Sequence, residues 1–256
     1  MISDEERITN ETRPLVLITG ASRGIGAQTA LRFAEGGWDL ALCCKEREDD
    51  LRKVADSCES YTGSEVFTFA GDLSDPDIVN ELCARLSGKD MLPDVVIHIA
   101  GITRTALLQD LSFYDWTDIL DTNITALFGI CKNLLPGMIR RQSGKILAAS
   151  SVYGNVGGAC EVAYSTSKGA VNGFVRALSK ELAPSHIQVN AVAPGAVDTD
   201  MLEESGLDAE GFMALVNDIP AGRIGRPREI AEVFWDLANA PEYLTGQIIA
   251  VDGGWT

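Results

Sequence analysis

Histidine is nearly absent from this chain. His98 and His186 are the only two, and neither has a partner at metal-ligand spacing, so metal-dependent hydrolysis finds no support. Cysteine occurs six times, at positions 43, 44, 58, 83, 131 and 160, but never as C-x-x-C. Thiols scattered over strands and helices point to a reducing cytoplasm and away from a zinc or redox centre. No apolar run reaches the ~20 residues that a membrane-spanning helix needs. Positive charge is in deficit: 21 Lys and Arg stand against 37 Asp and Glu, a net charge of −16. Such a surface repels nucleic acid and anionic membranes, so neither is an expected partner. It also repels an acidic carrier protein unless a local basic patch receives it. Residues 1–14, MISDEERITNETRP, have neither the basic nor the apolar segment of a secretory signal. They read as a polar tail ahead of a single domain over 15–256.

What is present is an alternation. With 46% hydrophobic and 23% charged residues, the chain has material for one core. Short apolar runs fall at 15–19, 40–44, 66–70, 95–99, 145–150, 188–193 and 247–251. Helical spacing fills 24–35, 75–87, 112–140, 163–182 and 227–239. Strand, helix, strand at this rhythm predicts an α/β fold, a doubly wound parallel sheet of about seven strands with helices on both faces. Residues 199–226 form the longest irregular stretch, with two short helices expected there, and are a candidate lid.

The first strand runs into TGASRGIG, residues 19–26, and then into a helix. Glycines at 20, 24 and 26 let the turn tighten and bring backbone N–H groups towards a pyrophosphate, with the helix N-terminus facing the negative charge. Ser22, Arg23 and Ile25 complete this candidate cofactor turn. The spacing is G-x-x-x-G-x-G, and it resembles the short-chain dehydrogenase/reductase family. A second motif, Tyr164-Ser165-Thr166-Ser167-Lys168, sets a phenol and an ammonium four residues apart on one helix face. An ammonium beside a phenol favours the phenolate and makes tyrosine a usable acid or base. Alone this pair would be a half-exposed helix couple. In the family a serine stands thirteen residues earlier, where this chain has Ser151, and an asparagine follows the fourth strand, where it has Asn123.

The resemblance covers residues 15 to 256 and implies a Rossmann-type fold and a set of roles. Tyr164 gives a proton to a carbonyl oxygen, and Ser151, favoured by spacing over its neighbour Ser150, steadies that oxygen. Lys168 lowers the phenol's pKa and, with Tyr164, holds the nicotinamide ribose. Asn123 holds a water linking Lys168 to solvent. Asp72 and Leu73 meet the adenine, and Ala100 and Gly101 let the adenosine approach the backbone. Pro194, Gly195, Val197 and Thr199 lie by the nicotinamide carboxamide. The resemblance further implies a homotetramer built through 112–140, 163–182 and the chain's end.

The second strand ends in Leu42-Cys43-Cys44-Lys45, with no acid where an NAD enzyme holds the ribose 2′-OH. Arg23 and Lys45 are expected to converge on a 2′-phosphate, which makes NADP(H) the expected cofactor. The substrate is expected to be a ketone. Overall similarity points to the 3-oxoacyl-carrier-protein reductases. The basic positions that receive the carrier there align with Gln142 and Ser185 here, leaving Arg140 and Arg141 as substitutes. LLPGMIR (134–140), GGACEVAYS (157–165) and KELAPS (180–185) instead resemble reductases of the 5-aminopentanone on a lysine of elongation factor P. Glu161, just before Tyr164, suits an amine. It equally reads as a solvent-facing loop acid. An NADP-binding protein without activity is the alternative from another class, since fold alone does not give function. Finally, DVVIHIAG (94–101) replaces the family's Asn-Asn-Ala-Gly. His98 takes the first Asn position and is expected to be structural, its imidazole bonded to neighbouring backbone.

Overall fold

The computed structural model describes residues 13–61, 63–89, 91–203 and 206–256. The expected tail therefore lies almost entirely outside the described residues. Strand β1 (Leu15–Thr19) shows how the layers arise. Leu15 and Leu17 enter one apolar core, and Val16 and Ile18 enter another on the opposite face. Successive side chains in a strand alternate faces, so a strand apolar at four positions in a row is covered on both sides. Helix α1 (Gly24–Glu35) follows, then β2 (Asp39–Cys44), α2 (Glu48–Glu59), β3 (Val66–Ala70), α3 (Pro76–Gly88) and β4 (Val95–His98). The second half adds α4 (Phe113–Leu120), α5 (Ala126–Arg141), β5 (Gly144–Ala149), α6 (Tyr153–Val156), α7 (Val162–Leu182) and β6 (Ile187–Pro194). It ends with α8 (Asp200–Glu203), α9 (Ala209–Asp218), α10 (Pro227–Ala238) and β7 (Ile248–Val251).

All seven strands pair in parallel, in the order β3-β2-β1-β4-β5-β6-β7. This is the expected Rossmann-type sheet. Strand order reverses between β1 and β4, and a ligand crevice opens beyond the strand ends at such a switch point. Residues of α3, α5 and α7 bury against one face of the sheet, and those of α1, α2 and α10 against the other. On that second face Phe33 packs edge-on to Trp38 and Trp235, and Arg32 lies over the Trp235 ring. Arg228 ties α10 to Glu35 of α1.

Two local features differ from the sequence reading. Helix α2 fills the gap between the second and third strands, burying Leu51, Ala55 and Cys58 on one face. The expected helical stretch 112–140 is interrupted by a π-helical turn at Asp121–Thr125. Such turns insert an extra residue and re-aim side chains, often at functional sites. Here the turn buries Asn123 completely.

Candidate active site

The glycine turn packs against the end of β4. Gly20 has φ +68°, and a Cβ there would lie 2.8 Å from the Ala100 nitrogen. A Cβ at Gly26 would overlap the Gly20 carbonyl oxygen. Only glycine permits both the left-handed turn and the close approach of helix to strand. The first turn of α1 has neither an acidic residue nor a side-chain cap, so its N–H groups stay available to an anion.

Beside this turn opens a cavity of about 490 Å³. Gly20, Ser22, Arg23, Gly24, Ile25, Gly26, Lys45, Asp72, Leu73, Ala100, Gly101 and Thr199 all line it. Cys44 forms part of the lining at the end of β2, a neutral group where an acid would hold a ribose diol. A glycine cradle, uncapped helix N–H groups and this lining fit a dinucleotide.

The charges at the mouth are arranged differently from the expectation. Lys45 does not turn towards Arg23. Its ammonium lies 2.8 Å from the Asp72 carboxylate, whose other oxygen accepts from the Ser74 N–H and hydroxyl. Arg23 pairs instead with Asp200 at the start of α8. Arg47, 3.3 Å from the same Asp200 oxygen, joins it. Arg47 and Asp200 were missed by sequence reasoning. Arg47's signal was its place two residues beyond Lys45. Asp200 had none, because only the fold brings α8 over the glycine turn.

The chemical end of the site lies between β5 and α7. Ser150 and Ser151 are adjacent but differ in partners. The Ser150 hydroxyl donates to Asn172 Oδ1 at 2.6 Å, inside the packing of α7. The Ser151 hydroxyl accepts from the Tyr153 N–H and bears on the Tyr164 phenol. Burial pushes that phenol up to about 12, with the Ser151 hydrogen bond opposing and the Glu161 charge reinforcing the rise. Lys168 is buried, donates to the Ala149 carbonyl at 2.8 Å, and is brought down to about 8 by burial. Its Nζ is 5.6 Å from the Tyr164 ring centroid. Directed at Ala149, it does not bring the phenol down in this arrangement, contrary to expectation.

Asn123 accepts from the Ile102 N–H at 2.8 Å and donates to the Ile102 carbonyl and the Ser167 hydroxyl. A Cβ at Gly101 would sit 3.2 Å from Lys168 Nζ and 3.3 Å from Asn123 Oδ1. Asn123, Gly101 and Lys168 therefore meet around one small space. Pro194 ends β6, Gly195 packs on Asp252, and Val197 enters the core and bridges Gly225. None of these three lines the cavity. Thr199 is the member of that group at the cavity, against Gly24.

His98 is buried between the Thr19 hydroxyl at its Nδ1 and the Thr122 and Asn123 backbone, so a side chain joins the backbone that was expected to hold it. Thr19 Oγ1 accepts from the Ile99 and Ala100 N–H groups, so its own proton goes to His98 Nδ1 at 3.0 Å. That fixes the tautomer with hydrogen on Nε2. Burial and the Lys168 charge bring the imidazole down to about 3. A neutral imidazole tying β1 to β4 is structural. Among the described residues, no group of three His, Cys, Asp or Glu is placed to hold a metal.

A family model for the short chain dehydrogenases matches residues 14–210. With that match, the parallel sheet and the site between β5 and α7, the chain belongs to the short-chain dehydrogenase family. Among relatives it is similar to 3-oxoacyl-(acyl-carrier-protein) reductase FabG of Chlamydia muridarum, 36% identical over 93% of this chain and 95% of that protein. It is also similar to the uncharacterized oxidoreductase YmfI of Bacillus subtilis, 38% identical over 93% of this chain and 97% of that protein. A solved 3-oxoacyl-(acyl-carrier protein) reductase from Brucella melitensis superposes with a TM-score of 0.87 at 31% identity, covering 95% and 91% of the two chains.

Proposed function

We propose that this oxidoreductase uses NADPH to reduce a ketone to a secondary alcohol. The observation that carries the reading is geometric: Ser151 and Lys168 gather at the buried Tyr164 phenol, in a fold whose glycine turn lines a cavity that fits a dinucleotide. A phenol held at about 12 keeps its proton near neutral pH and can pass it to a developing alkoxide. When bound, the nicotinamide supplies the hydride. Tyr164 Oη supplies the proton, and the Ser151 hydroxyl donates to the same carbonyl oxygen and stabilises its growing charge. Lys168, still an ammonium below about 8 and gathered with Asn123 around Gly101, is assigned to hold the nicotinamide ribose. Asn123 keeps the Ile102 strand-end segment and α7 in register through its three hydrogen bonds. The glycine turn and Ala100–Gly101 receive the dinucleotide backbone, and Asp72 and Leu73 border its adenine. Pro194, Gly195, Val197 and Thr199 support the carboxamide end.

Preference for NADPH is supported by Cys44, which offers no carboxylate to a ribose diol, and by Arg23 and Arg47 together at the cavity mouth. We assign the 2′-phosphate to those two arginines, with Lys45 committed to Asp72. Comparing kcat/KM for NADPH and NADH tests this, and a value for NADH equal or higher rejects it.

For the ketone, the named relatives support a carrier-bound 3-oxoacyl thioester. A specific observation favours a second reading, a ketone bearing an amine such as the 5-aminopentanone on elongation factor P. Glu161 stands beside Tyr164, fixed by the Thr103 and Thr105 hydroxyls, and no cation among the described residues pairs with it. A fixed carboxylate there raises the phenol and would find its counter-charge in a substrate ammonium. Arg141, expected to help receive a carrier, is spent on the Leu92 and Pro93 carbonyls and Asp94, leaving Arg140. NADPH oxidation with an acetoacetyl thioester against modified elongation factor P separates the two. No turnover of any 3-oxoacyl thioester removes the first.

Assembly as a homotetramer is supported by Phe113, Tyr114 and Phe128, large apolar side chains exposed on α4 and α5. A cytoplasmic location is supported by six free thiols. No helix among the described residues is long and apolar enough to cross a membrane.

A further inference from the structure

The cofactor mouth already holds an anion, supplied by the protein itself. One oxygen of Asp200 lies between the guanidinium of Arg23, in the glycine turn, and that of Arg47, just beyond β2. The three residues come from segments far apart in the chain, and all three line the cavity. The side chains remain 38%, 47% and 43% exposed for Arg23, Arg47 and Asp200, so water and salt screen the bridge. An oxygen shared by two guanidinium groups is the environment a phosphate oxygen seeks. A carboxylate brings one charge and two oxygens. A phosphate monoester brings nearly two charges and three acceptor oxygens.

We propose that Asp200 is a specificity-determining residue that occupies the phosphate seat as an internal competitor, and that a 2′-phosphate binds by displacing its carboxylate from Arg23 and Arg47. The inference rests on the assignment of the 2′-phosphate to those arginines. Its consequence is selective. A cofactor with the phosphate regains both arginine contacts when it displaces Asp200. A cofactor with only a ribose hydroxyl brings no anion to that seat, so it binds with the Asp200 bridge left in place. Asp200 thus lowers the affinity for the phosphorylated cofactor and leaves the other almost untouched.

The test is equilibrium binding of NADPH, NADH, 2′,5′-ADP and 5′-AMP to the full-length protein and to Asp200→Asn, which keeps the size and removes the charge. Exposed ion pairs of this kind are weak, so Asp200→Asn is expected to bind NADPH and 2′,5′-ADP about three- to tenfold more tightly at low salt. The gain is expected to shrink as salt rises. NADH and 5′-AMP should change less than about twofold. Adding Arg47→Ala should reduce the gain, because one of the two contested partners is gone. Equal tightening of all four ligands overturns the proposal, as does weaker NADH binding with NADPH unchanged, which would make Asp200 the ribose acceptor. If the wild-type protein does not prefer 2′,5′-ADP over 5′-AMP, the arginine assignment fails and the competition with it. If it does prefer 2′,5′-ADP but Asp200→Asn has no effect, only the competition fails.

Discussion

Replacing Lys168 with methionine should remove activity and still not harm stability near neutral pH. The ammonium sits at about 8 in the fold and at about 10.4 in an open chain. Each unit is worth about 1.4 kcal/mol, so folding carries a penalty of roughly 3 kcal/mol wherever both states are charged. The sign follows from the direction of the shift. A lowered lysine pKa means that the unfolded chain binds the proton more tightly. The penalty is therefore complete below about pH 8 and fades as pH rises towards 10.4. Methionine lacks the charge but strands the Ala149 carbonyl, which loses its 2.8 Å donor at a cost of about 1–3 kcal/mol. Near pH 7 the variant should be equal to the wild type or up to about 2 kcal/mol more stable. Near pH 10 that comparison should have moved by about 2 kcal/mol against the variant, because the wild-type penalty has been relieved. Urea unfolding of both proteins at matched concentration at several pH values reads the difference. A destabilisation that is the same at every pH would refute the argument, since it would mean that Lys168 has an ordinary pKa.

The adjacent serines should separate cleanly. Ser151→Ala is expected to lower kcat about a hundredfold or more by removing a donor to the oxyanion. Ser150→Ala should leave kcat within a few-fold and cost about 1–3 kcal/mol in urea unfolding by orphaning Asn172 Oδ1. His98→Asn should keep kcat and change the acid limb. With its imidazole at about 3, wild-type stability declines as pH falls from about 6.5, when the unfolded chain takes up a proton that the fold refuses. At pH 5 the loss is about 2 kcal/mol, and the asparagine variant should lack that part of the decline in an acid titration. Gly20→Ala forces a Cβ against Ala100 at positive φ. It should cost about 1–3 kcal/mol of stability and abolish nucleotide binding in a titration followed by fluorescence.

The layering of the sheet was legible because β1 is apolar at four successive positions, Leu15 to Ile18, and the glycine turn because glycine alone can fill those places. Tyr164, Ser151 and Lys168 were legible as a spacing. Their charge states were not, because a pKa depends on the burial and partners that the fold supplies. Arg23 in the glycine turn and Lys45 just past the second strand looked alike as cations for one phosphate. Which carboxylate each meets depends on backbone direction, and Asp72 captured Lys45 while Asp200 captured Arg23. Helix α2 could have been found from Leu51, Ala55 and Cys58, a single apolar stripe diluted by charged neighbours. The π turn that aims Asn123 inward changes the helical period by one residue, which periodicity over 112–140 averages away.

Strand β1 lies between β2, which follows it closely, and β4, its partner across 79 residues of chain. A ribosome delivers the glycine turn early, but its opposing wall at Ala100 arrives much later and Asp200 later still. Nascent chain that has formed β1 and β2 alone must wait with one apolar edge uncovered. Long-range parallel pairing of this kind slows folding and leaves intermediates open to association. Nucleotide cannot serve as a template for the early steps, since its cavity is closed by segments from both halves of the chain. It can only reward the finished sheet, raising stability in proportion to the logarithm of its concentration over its dissociation constant.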